Sequence, residues 1–112
     1  MRDRLLGQGQ SEFQQAVDLN NLDIDAQRRL AAFPRIRAAL SQGTERDELL
    51  RRADRAYSAV SAMAPTSPAV WVEWAWVDVD RGLRDEARRK LDHALSLNSR
   101  HPGALALRDR LK

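Results

Sequence analysis

The sequence predicts an all-α domain of stacked antiparallel helical hairpins. Three observations lead to this expectation. Residues 65–101 read as helix, turn and helix, an apolar pattern recurs with a 34-residue spacing, and proline and glycine stand where helices should begin and end. We therefore expect about two full hairpins with flanking helices.

The central hairpin is predicted from its boundary residues and its apolar pattern. Pro68 suits a first helical turn, where its missing N–H is no loss, and Gly82 allows the chain to turn. The second helix carries one apolar stripe at steps of three and four: Leu83, Ala87, Leu91, Ala94, Leu95 and Asn98. The first helix has eight apolar residues between Val70 and Val79, pointing in every direction. A helix of that kind should be covered on every side.

A repeat extends this pattern along the chain. Three segments align without gaps, beginning at Phe13, Tyr57 and Leu91, and each has a large apolar residue, a small one three positions later and another apolar one after that. The last two segments are 34 residues apart and the first two are 44 apart. Such a period is typical of stacked helical hairpins, and the middle unit should carry about ten extra residues.

On these residues the chain resembles the tetratricopeptide repeat (TPR) family, most closely between residues 65 and 104. The matching positions are Trp71, Trp74, Ala75, Gly82, Ala87, Leu91 and Ala94. Asp78 departs from the pattern, which usually has an aromatic residue there, and Ser99 replaces a common proline. The resemblance implies a right-handed superhelix and a scaffold that binds a peptide on its concave face.

The middle unit allows two phasings. Leu30 and Ala31 match Trp74 and Ala75, whereas the 34-residue spacing from Pro34 to Pro68 would place Leu40 opposite Trp74. Because an interior proline costs a helix roughly 3 kcal/mol, we expect a break or kink near Pro34. The next helix is expected from about residue 45 to residue 63, with Thr44 as its cap. Its inward residues should be Leu49, Leu50, Ala53, Ala56, Tyr57 and Val60.

The two ends of the chain differ in character. Gly7 and Gly9 predict a flexible segment over residues 1–10, followed by a single helical domain over residues 11–112. The spacing from Ser11 to Gln14 is typical of a capping box and predicts a helix to Leu19. A last helix should start at Pro102, with a polar outer side formed by Arg108, Asp109, Arg110 and Lys112.

Composition excludes several classes of protein. At 112 residues, 43% hydrophobic and 31% charged, the chain can form one modest core. It has no cysteine, hence neither disulfides nor thiolate chemistry. No apolar run approaches the ~20 residues that span a bilayer. We expect a cytoplasmic location, with a periplasmic or membrane-tethered domain of a longer protein as the alternative. Only two of the 19 basic residues are lysines, and this arginine usage favours a GC-rich bacterial source.

No catalytic constellation is visible. Nucleophilic catalysis needs an adjacent base and a hydrolytic metal site needs clustered ligands, so we expect no enzyme activity, no metal and no cofactor. His93 and His101 stand apart in the sequence. Asp78 and Asp80 face different sides of their helix and are interpreted as a helix end that leaves the core.

Two arginine stripes offer another interpretation. They comprise Arg51, Arg52 and Arg55 in one unit and Arg81, Arg84 and Arg88 in the next. Neighbouring stripes could bind phosphate. Acidic residues are interleaved with them, and i,i+4 ion pairing accounts for much of the pattern. Nucleic-acid binding therefore stays a second alternative.

The excess apolar surface of the tryptophan-rich helix suggests a binding site. The candidate partner-binding residues are Val72, Trp76, Val79, Arg28, Arg35 and Arg110. The first three share one side of a helix, which in the resembled family faces the peptide groove, and the arginines would orient an acidic partner. The hypothesis is a noncatalytic protein-protein interaction module. Two alternatives cover the same side: a homodimer or assembly contact in a larger complex, or residues 1–20 folded over it.

Overall fold

The protein is all-α in the part of the chain that its structure, a computed structural model, describes, residues 21–112. Five helices follow one another there, with no strand between them. They are α1 (Asn21–Ala38), α2 (Gly43–Met63), α3 (Pro68–Asp80), α4 (Arg84–Leu97) and α5 (Pro102–Arg110). This confirms the predicted fold class. The predicted flexible segment 1–10 and the predicted helix from Ser11 to Leu19 lie outside the described residues.

The helices pack as two hairpins and a flanking helix. Helix α1 packs mainly on α2 and α3 mainly on α4, while α5 contacts both α4 and α3. Helix α3 also packs against α2, and this contact joins the two hairpins. The hairpin arrangement is thus as predicted, and the right-handed superhelix stays a prediction.

Two apolar clusters lie on opposite sides of α3. The first joins α3, α4 and α5 and contains Val72, Ala75, Ala87, Leu91, Ala94, Ala104, Leu107 and Leu111. The second joins α1, α2 and α3 and contains Ala31, Ala53, Tyr57, Val60, Val70 and Val77. Helix α3 is apolar all round because it supplies both clusters, which confirms that it is covered on several sides.

The predicted break at Pro34 is wrong, because α1 runs through this proline. The buried residues on either side explain why. Ala31 joins the second cluster, and Ala38 packs with Leu49 and Leu50 in a third. Packing against α2 along the whole of α1 outweighs the lost hydrogen bond. The extra residues of the middle unit instead lengthen the hairpin, since α1 and α2 have 18 and 21 residues against 13 and 14 in α3 and α4.

Burial also distinguishes the two phasings of the middle unit. Ala31 is buried as Ala75 is, whereas Leu40 is 88% exposed. Leu40 therefore does not occupy the position of Trp74, which contacts both neighbouring helices. Pairing Ala31 with Ala75 is the phasing that agrees with the structure.

Some predicted boundaries shift by a residue or two. Helix α2 begins at Gly43, so Thr44 lies inside it and is not its N-cap; the N-cap is Gln42, which makes no side-chain capping bond. In α4 the predicted stripe fails at its ends: Leu83 and Asn98 are exposed because they flank the helix. Gly82 has φ +80°, the left-handed conformation that the predicted turn requires.

His101 closes the N-terminus of α5. Its Nδ1 accepts a hydrogen bond from the Ala104 N–H at 3.2 Å. Replacing His101 with Ala should lower the free energy of unfolding by about 1 kcal/mol, because an N–H of the first turn loses its partner. Replacing it with Asn, a good N-cap residue, should retain most of that stability. Urea unfolding of the two variants checks this, and equal losses in both would contradict a capping role.

Candidate functional site

An open groove lies between α1 and α3. It has a volume of about 490 Å³, and its walls come from these two helices, with Tyr57 of α2 also lining it. Arg28, Arg35 and Trp76 line the groove together, so three of the six predicted site residues meet there.

Trp76 is the centre of this site. It is partly buried, because one side of its ring packs against the first apolar cluster. The guanidinium carbon of Arg35 lies 5.2 Å from the ring centroid and that of Arg110 lies 5.3 Å from it. Both distances are within the range of a cation–π contact. Residues from α1, α3 and α5 therefore converge on one indole ring.

A polar network crosses the groove beside Trp76. Arg28 forms an ion pair with Glu73 and a second one with Asp25 at 2.9 Å. The hydroxyl of Tyr57 donates to Glu73 Oε1 at 3.2 Å. The Glu73 hydrogen bond raises the pKa of Arg28, and burial together with the Glu73 charge raises the pKa of Tyr57. At neutral pH Arg28 is therefore a cation and Tyr57 a neutral phenol.

Two arginines bind Asp80 at the C-terminal end of α3. Arg35 Nε lies 2.5 Å from Asp80 Oδ2, and Arg46 donates to the Asp80 carbonyl at 3.2 Å. A carboxylate at a helix C-terminus is unfavourable next to the helix dipole, and Arg35 offsets it. This ion pair also holds the Arg35 guanidinium near Trp76.

The prediction that Val72 belongs to the binding surface is wrong. Its side chain is only 6% exposed, because α5 packs over it and Ala104 and Leu107 share its cluster. Val79 is partly buried against the same cluster and offers little free surface. The expected apolar face is therefore largely covered by α5, and Trp76 is the one member of that trio that lines the groove.

Sequence reasoning missed six of the nine residues that line the groove, among them Arg29, Ala32 and Ile36 of α1. Together with Asp25, Arg28 and Arg35 they recur at steps of three and four, which is the signature of one helical face. The assumed break at Pro34 hid that signal, since it separated Arg35 and Ile36 from the rest. The result is a groove of mixed polarity instead of an apolar one.

The arginine stripes are largely engaged within the protein. Arg51, Arg52 and Arg55 surround Glu48 at 3.5–3.7 Å. Two arginines of α4 bind the C-terminal end of α5 instead. Arg84 and Arg88 donate hydrogen bonds to the Leu111 carbonyl at 2.8 and 2.7 Å. Arg81 pairs with Asp54 at 3.6 Å. These contacts account for the stripes by packing and ion pairing.

The sequence analysis interpreted Asp78 as part of a helix end that leaves the core, and this interpretation is wrong. Asp78 is 1% exposed, and its Oδ2 lies 2.5 Å from Lys90 Nζ on α4. Burial raises the pKa of Asp78, and the bond to Lys90 opposes that rise. Lys90 also lies 4.5 Å from the centroid of the Trp74 ring, whose indole N–H donates to Asp54. This cluster joins α2, α3 and α4.

The two histidines have structural contacts. His93 packs edge-on against Trp71 with ring centroids 4.3 Å apart, and His101 caps α5. Over residues 21–112, no group of three or more His, Asp or Glu side chains is placed to hold a metal ion. No helix in this range is both long and apolar enough to cross a membrane.

Comparison of the whole chain with protein-family models, curated proteins and solved structures finds no match.

Proposed function

We propose that this chain is a noncatalytic protein-interaction module whose groove binds an acidic peptide or helix of a partner protein. The observation that carries the proposal is the convergence of Arg35 and Arg110 on Trp76 beside an open groove. Tryptophan and arginine are the residues most enriched among interface hot spots. The resemblance to the TPR family supports the same function, and a cytoplasmic location stays a prediction.

The charges of the site favour a carboxylate-bearing partner. Four arginines lie at the groove and its rim, Arg28, Arg29, Arg35 and Arg110, against three carboxylates, Asp25, Glu73 and Asp80. Arg29 and Arg110 make no ion pair with any described residue. Guanidinium groups bind carboxylates through paired hydrogen bonds. An apolar side chain of the same ligand would pack between Trp76 and Ile36.

A peptide selection tests this proposal. Peptides from a random library are selected on the wild-type protein, and their affinities are then measured for Trp76→Ala and Arg110→Ala. Trp76→Ala should weaken binding by about 2 kcal/mol, roughly thirtyfold in Kd, as loss of an aromatic hot spot does. Arg110→Ala should weaken it less and should reduce its salt dependence.

Arg108→Ala is the matched control for Arg110→Ala. Arg108 lies on the same helix two residues earlier, is exposed, and makes no cation–π contact with Trp76. Its replacement should leave the affinity unchanged. The proposal fails if folded Trp76→Ala retains wild-type affinity, or if the selected peptides carry no acidic residues.

Self-association is the second candidate function. The observation that favours it is the exposed apolar surface of α1, where Leu30 and Phe33 are more than half exposed. Sedimentation velocity at micromolar concentration tests it, and a strict monomer would exclude a homodimer. A nucleic-acid function has no such support, since the arginine stripes are engaged in ion pairs and in contacts with α5.

A further inference from the structure

The groove between α1 and α3 continues past Trp76 toward the C-terminal ends of both helices. A second depression of about 320 Å³ lies there, and it shares Arg35 and Ile36 with the groove around Trp76. Its other lining residues come from the end of α1, the start of α2 and the end of α3: Ala38, Ala39, Arg46 and Asp80. We call this depression the second section and the groove around Trp76 the first section.

Two ion pairs between α1 and α3 show how the two sections follow each other. Arg28 pairs with Glu73, and Arg35 pairs with Asp80 seven residues further along both helices. Helices paired in this way run parallel, and seven residues correspond to about 10 Å of helix. On α3, Trp76 lies between the two paired residues. The second section therefore begins where the first one ends.

Arg46 gives the second section a basic wall. Its Nη2 donates to the carbonyl oxygen of Asp80 at 3.2 Å. A carbonyl is uncharged, so this hydrogen bond does not neutralise the guanidinium. The Asp80 carboxylate, by contrast, is paired with Arg35 at 2.5 Å. The lining of the second section thus carries two arginines against one carboxylate, which favours a negatively charged ligand.

The helix ends at the second section make a direct contact with an arginine necessary. Helices α1 and α3 end here, at Ala38 and Asp80, and a helix C-terminus disfavours a nearby carboxylate. A ligand carboxylate would therefore need a guanidinium that binds it directly. Arg46 is the better placed of the two arginines, because Asp80 already binds the charge of Arg35.

We propose that the acidic peptide of the proposed function extends into the second section and places a carboxylate on Arg46. This inference rests on the proposed function, because it concerns the same ligand. It adds a second contact to the apolar anchor, the peptide side chain that packs between Trp76 and Ile36. The groove would then read two features of its partner, an apolar residue and an acidic residue at a fixed distance.

The spacing along α3 places the acidic residue on the peptide. Asp80, which Arg46 contacts, follows Trp76 by four residues, or about 6 Å of helix. In an extended peptide, at about 3.3 Å per residue, this distance corresponds to two residues, whose side chains point to the same side. In a helical peptide it corresponds to about four residues. The acidic residue should therefore stand two or four positions from the apolar anchor.

A double-mutant cycle tests the contact. The probe is the tightest-binding peptide from the library selection, labelled with a fluorophore, and each of its acidic residues is replaced in turn by the corresponding amide. Arg46→Gln should weaken binding of the unmodified peptide about fivefold, which corresponds to an ion pair of about 1 kcal/mol. Once the acidic residue that contacts Arg46 is an amide, Arg46→Gln should have no further effect. The apolar anchor is identified in the same way, by its coupling to Trp76→Ala.

Two control variants separate the charge of Arg46 from its role in the fold. Arg46→Lys retains the charge and should retain most of the affinity. Arg55→Gln removes an arginine from the same helix that lines neither section and lies 3.5 Å from Glu48, so the affinity should not change. Circular dichroism checks folding, and the amide introduced by Arg46→Gln can still donate to the Asp80 carbonyl.

The results distinguish failure of this inference from failure of the proposed function. If Trp76→Ala weakens binding but Arg46→Gln binds like the wild type, the second section is not used and the first section remains the binding site. Coupling of Arg46 to no acidic residue, or to one at another spacing from the apolar anchor, would also overturn the inference. If folded Trp76→Ala retains wild-type affinity as well, the proposed function fails with it.

Discussion

Replacing Lys90 with Met should destabilise the protein by roughly 3–5 kcal/mol, the usual effect of breaking a buried ion pair by removing one partner. The change leaves the Asp78 carboxylate, which is 1% exposed, without the ammonium group that lies 2.5 Å away. It also removes the cation beside the Trp74 ring. Urea unfolding followed by far-UV circular dichroism measures the loss.

The double variant Asp78→Leu with Lys90→Met is the control. Replacing both charges with apolar groups of similar size removes the unpaired charge, so most of the lost stability should return. If the double variant is as unstable as the single one, the loss comes from packing and the ion-pair explanation is wrong.

The pH dependence of Lys90→Met gives an independent check. Burial raises the pKa of Asp78 and Lys90 opposes that rise, so removing Lys90 should raise it further. A carboxyl group whose pKa is higher in the folded state than its unfolded value of about 3.9 favours folding when protonated. The free energy of unfolding of the variant should therefore increase relative to the wild type as the pH falls from neutral toward 4. A constant difference across that range would contradict this reasoning.

Much of the fold follows from the sequence because its helix signals are local. Pro68 marks a helix start and Gly82 marks a turn, and neither signal needs tertiary information. The buried positions of α2 follow a three- and four-residue spacing. Five of the six residues expected inside α2 are buried, and the sixth, Ala56, is partly buried. The hairpin pairing follows from the short connections.

The binding surface was harder to predict because it depends on how helices pack. Nothing local in the sequence shows that α5 covers Val72, nor that Arg110 of α5 reaches the Trp76 ring. The break expected at Pro34 applied a local rule that packing on α2 overrides. The buried pair of Asp78 and Lys90 was missed for the same reason, since its partners come from different helices.

Replacing Leu107 with Ala should release α5 from the hairpin stack. Leu107 is buried in the first cluster, and large-to-small changes at such sites cost about 2–5 kcal/mol. Among the described helices α5 packs on α4 and α3 only, so the loss should appear as local opening of α5. Its amide hydrogens should exchange roughly thirtyfold faster or more, which corresponds to about 2 kcal/mol, while those of α2 are unchanged.

Leu105→Ala is the matched control, because Leu105 lies on the same helix and is only partly buried. It should change exchange in α5 far less. Faster exchange throughout α1 to α4 in Leu107→Ala would contradict local opening and would show instead that α5 unfolds together with the hairpins.

The same variant distinguishes two accounts of the binding site. Opening α5 uncovers Val72 and withdraws Arg110 from the Trp76 ring. If Val72 formed the binding face, as the sequence suggested, Leu107→Ala should bind the selected peptides more tightly. If Trp76 and its two arginines form it, binding should weaken toward the affinity of Arg110→Ala. Titration of one fluorescent peptide against both variants decides between them, and we expect the weaker binding because the groove retains Arg35 but loses its second cation.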